Sequence, residues 1–103
     1  MEILEIHLEN PIDFDGFEII KTQVEHSTHY NYLLIDFGKH EFNSISVMKY
    51  FRENLKSIKP SLMQFKKIAF IHPPQFLNQS DNPESFEYFT SITAAISWFS
   101  KGD

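Results

Sequence analysis

The chain has no cysteine. That excludes disulfide frameworks, Cys-ligated zinc and thiol chemistry together, and leaves the stability of a 103-residue chain to packing, which suits a reducing compartment. Glycine is scarce, with three residues, and neither a Gly-rich phosphate loop nor a nucleophile elbow can be found. No apolar run approaches the ~20 residues that a bilayer-spanning helix needs. An excess of positive charge is missing too. The net charge is −5, which argues against a nucleic-acid partner, since that affinity comes mainly from neutralising phosphates. The first residues, MEILEIHLEN, carry acids where a secretory signal would carry bases. These absences lead to the expectation of a soluble, cytoplasmic protein without a membrane span or a cofactor.

What is present points to one domain, residues 1–103, built around one core. Eleven phenylalanines supply much buried area per residue. Charge is uneven. Residues 1–20 hold six acids and no Lys or Arg, whereas Lys49, Arg52, Lys56, Lys59, Lys66 and Lys67 face Glu53 alone. The basic cluster reads as a solvated helix face plus the start of a strand, with an acidic partner as the functional alternative.

Alternation in EILEIHLE places Leu4, Ile6 and Leu8 on one side of a strand with a wet opposite face, suited to a sheet edge. NPIDFDG is turn chemistry. Phe17, Ile20 and Val24 then share one helical face, closed by Ser27, Thr28 and His29, although the β-branched Ile19, Ile20, Thr22 and Val24 also suit a strand. YLLIDF, residues 32–37, is a near-continuous apolar run of the kind found in strands buried on both faces. The next segment predicts a helix capped by Asn43 or Ser44, with Met48, Phe51, Leu55 and Ile58 inward and Pro60 as its end. A second buried strand is expected over Lys67–Ile71, a loop over residues 72–85, a short strand in SFEYF, and a last helix capped by Thr90 or Ser91 with Ile92, Ala95, Ile96 and Phe99 inward. Strands alternating with helices imply βαβ units, hence an α/β fold with a mainly parallel or mixed sheet of four or five strands covered by amphipathic helices. The direction of the first strand stays open.

Several stretches invite chemical readings. Asp36 lies at the carboxyl end of a central strand, where ligands bind in open α/β sheets. His40 follows in the same turn and His72 ends the other central strand, so Asp36, His40, Ser44 and His72 are candidates for one strand-end cleft able to support acid–base chemistry. The bland reading is a carboxylate bonding turn amides and two solvated histidines. His26 and His29, with Glu25 beside them, have a spacing that could share a metal; the remaining histidines are scattered, and no metal site is expected. Phe76 and Leu77 sit between polar flanks and read either as a lid on the core or as an exposed partner contact. Trp98 suits a helix boundary or a subunit neighbour.

Three segments, LLIDFGKHEF, KKIAFI and FEYFTSITAAISWF, taken in order, resemble the STAS fold, and in particular the small SpoIIAA-like proteins. The resemblance implies a single STAS-like α/β domain acting as a non-catalytic regulatory or protein-binding module. In classical anti-sigma factor antagonists a serine at the start of the helix after the Asp-ended strand is phosphorylated by a partner kinase. The corresponding stretch here is EFNSISV, which makes Ser44 the closest position and Ser46 the next. The chain departs from the family's Asp-Ser-Ser-Gly signature: Asn43 stands where Asp would be, Ile45 separates the serines, and no Gly follows. SpoIIAA-like proteins also resemble CRAL-TRIO lipid-binding domains, which implies a small apolar ligand under the 72–85 loop as an alternative. A small enzyme using Asp36, His40 and His72 is a third reading.

Overall fold

A parallel sheet forms the middle of the protein, and its strands fall where the apolar patterns place them. The structure is a computed structural model and describes residues 2–27, 29–39, 41–72 and 86–101. Strand β1 (Ile3–His7) buries Leu4 and Ile6 and leaves Glu5 and His7 exposed. Strands β2 (Tyr32–Asp36) and β3 (Lys67–Ile71) are buried on both faces. Strand β4 (Phe86–Phe89) completes the order β1-β2-β3-β4, with every neighbouring pair parallel. The sheet is therefore four-stranded and wholly parallel among the described residues, with β1 at an edge and running with its neighbour.

Helix α1 (Phe14–His26) starts three residues before the apolar stripe, at an N-cap where Asp13 Oδ1 accepts from the Phe14 N–H at 2.8 Å. Its buried residues are Phe17, Ile20 and Val24. Helix α2 (Ile45–Asn54) is capped by Ser44, and it differs from expectation in two ways. Its buried residues are Val47 and Phe51, while Met48 is 38% exposed and Leu55 only partly buried. The cause is its packing on α1: the Phe17 ring meets Tyr50 and Phe51 edge-on, at 5.3 and 5.7 Å, which turns the 47/50/51 side inward. Nor does Pro60 terminate the helical region. The chain tightens into a 3-10 turn at Leu55–Ile58 and continues as a short α-turn, α3 (Lys59–Leu62), with Pro60 in its first turn. The missing N–H of proline costs nothing there, because first-turn amides have no intrahelical acceptor. Ile58 and Leu62 are thereby brought into the core.

Helix α4 (Ile92–Ser100) is capped by Ser91, whose Oγ accepts from the Ala94 N–H at 3.3 Å. It buries Ala95 and Phe99; Ile92 is partly buried and Ile96, expected inside, is 39% exposed. Among the described residues α4 is the helix on its face of the sheet, and Phe99 fills the contact by stacking on Tyr32 at 5.0 Å. Trp98 packs on Phe89 and Phe99, and Lys67 Nζ lies 5.1 Å from its ring centroid. The same ammonium donates to the carbonyls of Trp98, at 2.8 Å, and Lys101, supplying a cation to the carbonyl-rich end of α4.

The side-chain period of two splits the core between the two faces of the sheet. Leu4, Ile6, Leu33, Ile35, Ile68 and Phe70 join α1, α2 and α3 in one cluster. Tyr32, Leu34, Ala69 and Ile71 join Ala95 and Phe99 of α4 in the other. Among the described residues, no helix is long and apolar enough to cross a membrane.

Candidate functional site

In a parallel sheet every strand delivers its carboxyl end to one edge, and here three helix N-termini sit at that edge as well. The loops after β1 and β2 are tied together there. Ile12 and Phe42 form an isolated parallel bridge, in which the Ile12 N–H donates to Glu41 O at 2.9 Å and the Asn43 N–H to Ile12 O at 2.7 Å. Asn43 Nδ2 reaches Asp13 Oδ2 at 3.4 Å. The capping residue of α1 is thus tied to the residue that precedes the Ser44 cap of α2. This pairing is invisible to a linear reading, since it joins two loops separated by a whole βα unit.

Asp36 ends β2 with its side chain 18% exposed. Its Oδ1 accepts from the Gly38 N–H at 2.8 Å, closing a turn in which Gly38 and Lys39 both have positive φ, 65° and 60°. Only glycine takes that conformation readily, and two such residues in succession reverse the chain immediately after the strand. The bland reading of Asp36 as a turn carboxylate is therefore correct for one of its oxygens. The other, Oδ2, lies 3.1 Å from His7 Nδ1. His7 is the register partner of Asp36 on the edge strand, and its Nε2 lies 3.3 Å from Glu5 Oε1. The carboxylate–imidazole–carboxylate arrangement Glu5–His7–Asp36 is the most organised polar feature at this edge. Sequence reasoning passed over His7 as one of the scattered histidines. The available signal was register: once β1 is parallel to β2, the histidine two places after Glu5 falls opposite Asp36.

The expected cleft is thus rearranged. Asp36 and His72 do reach the same edge, since Ile71 is the register partner of Asp36, but the imidazole in contact with Asp36 is that of His7. His72 takes positive φ (52°), which histidine adopts more readily than most residues, and its N–H extends the ladder to Phe89 O at 2.9 Å. His40 lies outside the described residues, as do Phe76 and Leu77. His26 and His29 are not assembled for a metal: His26 Nδ1 is 2.8 Å from Thr22 O, while the His29 ring packs on Tyr30. Among the described residues no group of three or more His, Asp and Glu side chains is arranged to hold a metal ion.

Ser44 is exposed at the start of α2, with extended backbone (φ −159°, ψ 167°) and its Oγ 3.2 Å from the Val47 N–H it caps. Ser46 is exposed in the first turn. Between them Ile45 is 69% exposed, and Met48, one turn on, is partly exposed. Lys49, Arg52, Lys56 and Lys59 are all exposed along the same helical segment. Nearby, the Tyr50 hydroxyl donates to Glu18 Oε1 at 3.0 Å, and this bond, with lesser contributions from burial and the Glu18 charge, raises the phenol above its ordinary pKa. Replacing the Ser44 cap by Ala is expected to lower stability by about 0.5–2 kcal/mol, and by Gly only a few tenths; urea unfolding of the two variants checks this.

The fold and its carboxyl edge define a single-sheet parallel α/β domain with helices on both faces. Comparison with protein families, characterised proteins and solved structures finds no match for this chain.

Proposed function

We propose that the protein is a non-catalytic binding module of STAS-like, SpoIIAA-like type, and that its partner is a protein seated on the outward face of α2. The observation that carries this reading is the exposure of Ile45 in the first turn of α2, with Met48 beside it at helical spacing. An isoleucine held in water gains nothing for the fold, and an apolar pair rimmed by charge is the composition of a contact surface. Lys49, Arg52, Lys56 and Lys59 against Glu53 make that rim basic, so the complementary partner is an acidic surface that offers an apolar pocket. Ser44 stands at the tip of the face. A phosphate on its exposed hydroxyl is favoured by the free amides and dipole of the helix N-terminus. The added negative charge repels an acidic partner, which makes Ser44 the control point and Ser46 a weaker one.

The test is capture from the native cell with the whole protein as bait, followed by measured affinity for the recovered partner. The double variant Ile45→Asp, Met48→Asp is expected to weaken binding about 30-fold or more, the effect of losing a ~2 kcal/mol anchor, and higher salt is expected to slow association. Phosphorylation by a kinase from the same cell should lower capture by wild-type protein and leave Ser44→Ala unaffected. Partner binding untouched by the double variant removes this surface from the reading.

A further inference from the structure

The Glu5–His7–Asp36 arrangement contains a contact that a neutral imidazole cannot satisfy. Such a ring has one N–H and one lone pair. Both of its nitrogens face carboxylate oxygens, Nδ1 toward Asp36 Oδ2 at 3.1 Å and Nε2 toward Glu5 Oε1 at 3.3 Å. Asp36 is the better-fixed acceptor, because its Oδ1 is already pinned by the Gly38 N–H and its side chain is largely buried. With the proton on Nδ1, the Nε2 lone pair points at an anionic oxygen. A cation between the two atoms turns this repulsion into attraction.

We propose that Glu5 and His7 form a binding site for a borderline divalent cation of the first transition row, Zn2+ being the representative, with Asp36 as the positioning residue behind the histidine. Three observations support it. The Nε2–Oε1 separation of 3.3 Å matches the distance of about 3.3–3.4 Å between two ligands of a tetrahedral zinc with bonds near 2.0–2.1 Å. The Asp36–His7 contact is the carboxylate–histidine support that fixes the tautomer and ring orientation of metal-bound histidines. An imidazole paired with one carboxylate suits zinc, copper or nickel rather than calcium or magnesium. Both ligands are about half-exposed, so the remaining coordination positions belong to water or to an incoming group, and the site is open rather than structural. It lies on the sheet face opposite α2, because Asp36 and Leu34 share a face and Leu34 packs with α4. The site is therefore independent of the α2 contact surface.

Titration of the full metal-free chain with Zn2+, followed by NMR of the histidine rings and by calorimetry, tests this. One ion per chain is expected, with the His7 ring responding first. His7→Ala abolishes that binding and Glu5→Gln weakens it. Asp36→Asn is the sharper variant. Its carbonyl oxygen still serves the Gly38 turn, but its amide donates to Nδ1 and drives the ring proton onto Nε2, removing the ligand lone pair. A loss of about 10–100-fold is expected, as for other residues that support a metal-bound histidine, with unchanged thermal unfolding of the metal-free protein. His26→Ala is expected to have no effect. Zinc binding that survives His7→Ala, follows His26→Ala or ignores Asp36→Asn overturns the proposal. So does a His7 ring that responds to pH and not to millimolar Zn2+, an outcome that assigns the bridging cation to a proton.

Discussion

Phe51→Ala is expected to cost about 3–5 kcal/mol, the range for truncating a fully buried phenylalanine. Phe51 is completely buried where α2 meets α1 and the loop after β2, with Phe17 and Phe42 against it edge-on at 5.7 and 5.1 Å. Neither neighbour can fill the void. Phe17 is anchored in α1, and Phe42 belongs to the loop bridged to Ile12. Domains of this size have roughly 5–15 kcal/mol in total, so the variant stands near the edge of folding. A fall in melting temperature of about 12 °C or more follows, at ~4–8 °C per kcal/mol for a small domain. Denaturant titration checks it. A midpoint within the error of wild type means that α2 is not held by this ring, and the placement of Ser44 and Ile45 loses its support.

Phe99→Ala is expected to cost as much, but to distribute the loss differently. Phe99 is fully buried on the face where α4 is the helix among the described residues, stacked on Tyr32 and flanked by Trp98. On the opposite face three helical segments share the contact, so deletion of a single ring leaves other anchors. On the α4 face Ala95 is the only other helix residue fully buried, and an alanine cannot hold a helix. Loss of Phe99 therefore undocks α4 before the sheet melts, with the Lys67 cap and the Trp98–Phe89 contact among the remaining ties. Hydrogen exchange distinguishes this from global destabilisation: α4 amides exchange quickly while those of β2 and β3 stay protected. Uniform loss of protection across helix and sheet means that α4 and the sheet open as one unit.

Much of the fold was legible in particular residues. Tyr32–Phe37 and Lys67–Ile71 read as doubly buried strands because nearly every position is apolar, and they do pair in parallel at the centre. Phe17, Ile20 and Val24 marked the buried face of α1 despite their β-branched neighbours. The rotation of α2 was not legible. Met48 and Val47 are both apolar and adjacent, and which of them points inward depends on the ring contacts with α1. Pro60 misled for a related reason: proline excludes helix interiors but suits a first turn, and the intervening 3-10 turn makes it a first-turn residue. At the carboxyl edge, Asp36 was identified from its strand-end position, whereas its partner was not, because a histidine on a wet edge strand carries no mark of what lies across from it. The STAS-like reading and the roles of Ser44 and Ser46 rest on resemblance and surface chemistry rather than on any matched relative.

By itself the sequence determined the order of the main strands and helices, the two central strands, the α/β class and a helix cap at Asn43 or Ser44, all of which follow from local periodicity and local hydrogen-bonding chemistry. Tertiary structure alone decided that β1 runs parallel to β2, that α4 packs on the face opposite α1 and α2, that Ile45 is left in water, and that His7 stands between Glu5 and Asp36. Each of these depends on strand register or helix rotation. A shift of one residue exchanges the buried and exposed sets, and only the summed packing of distant segments, never a local pattern, selects between them.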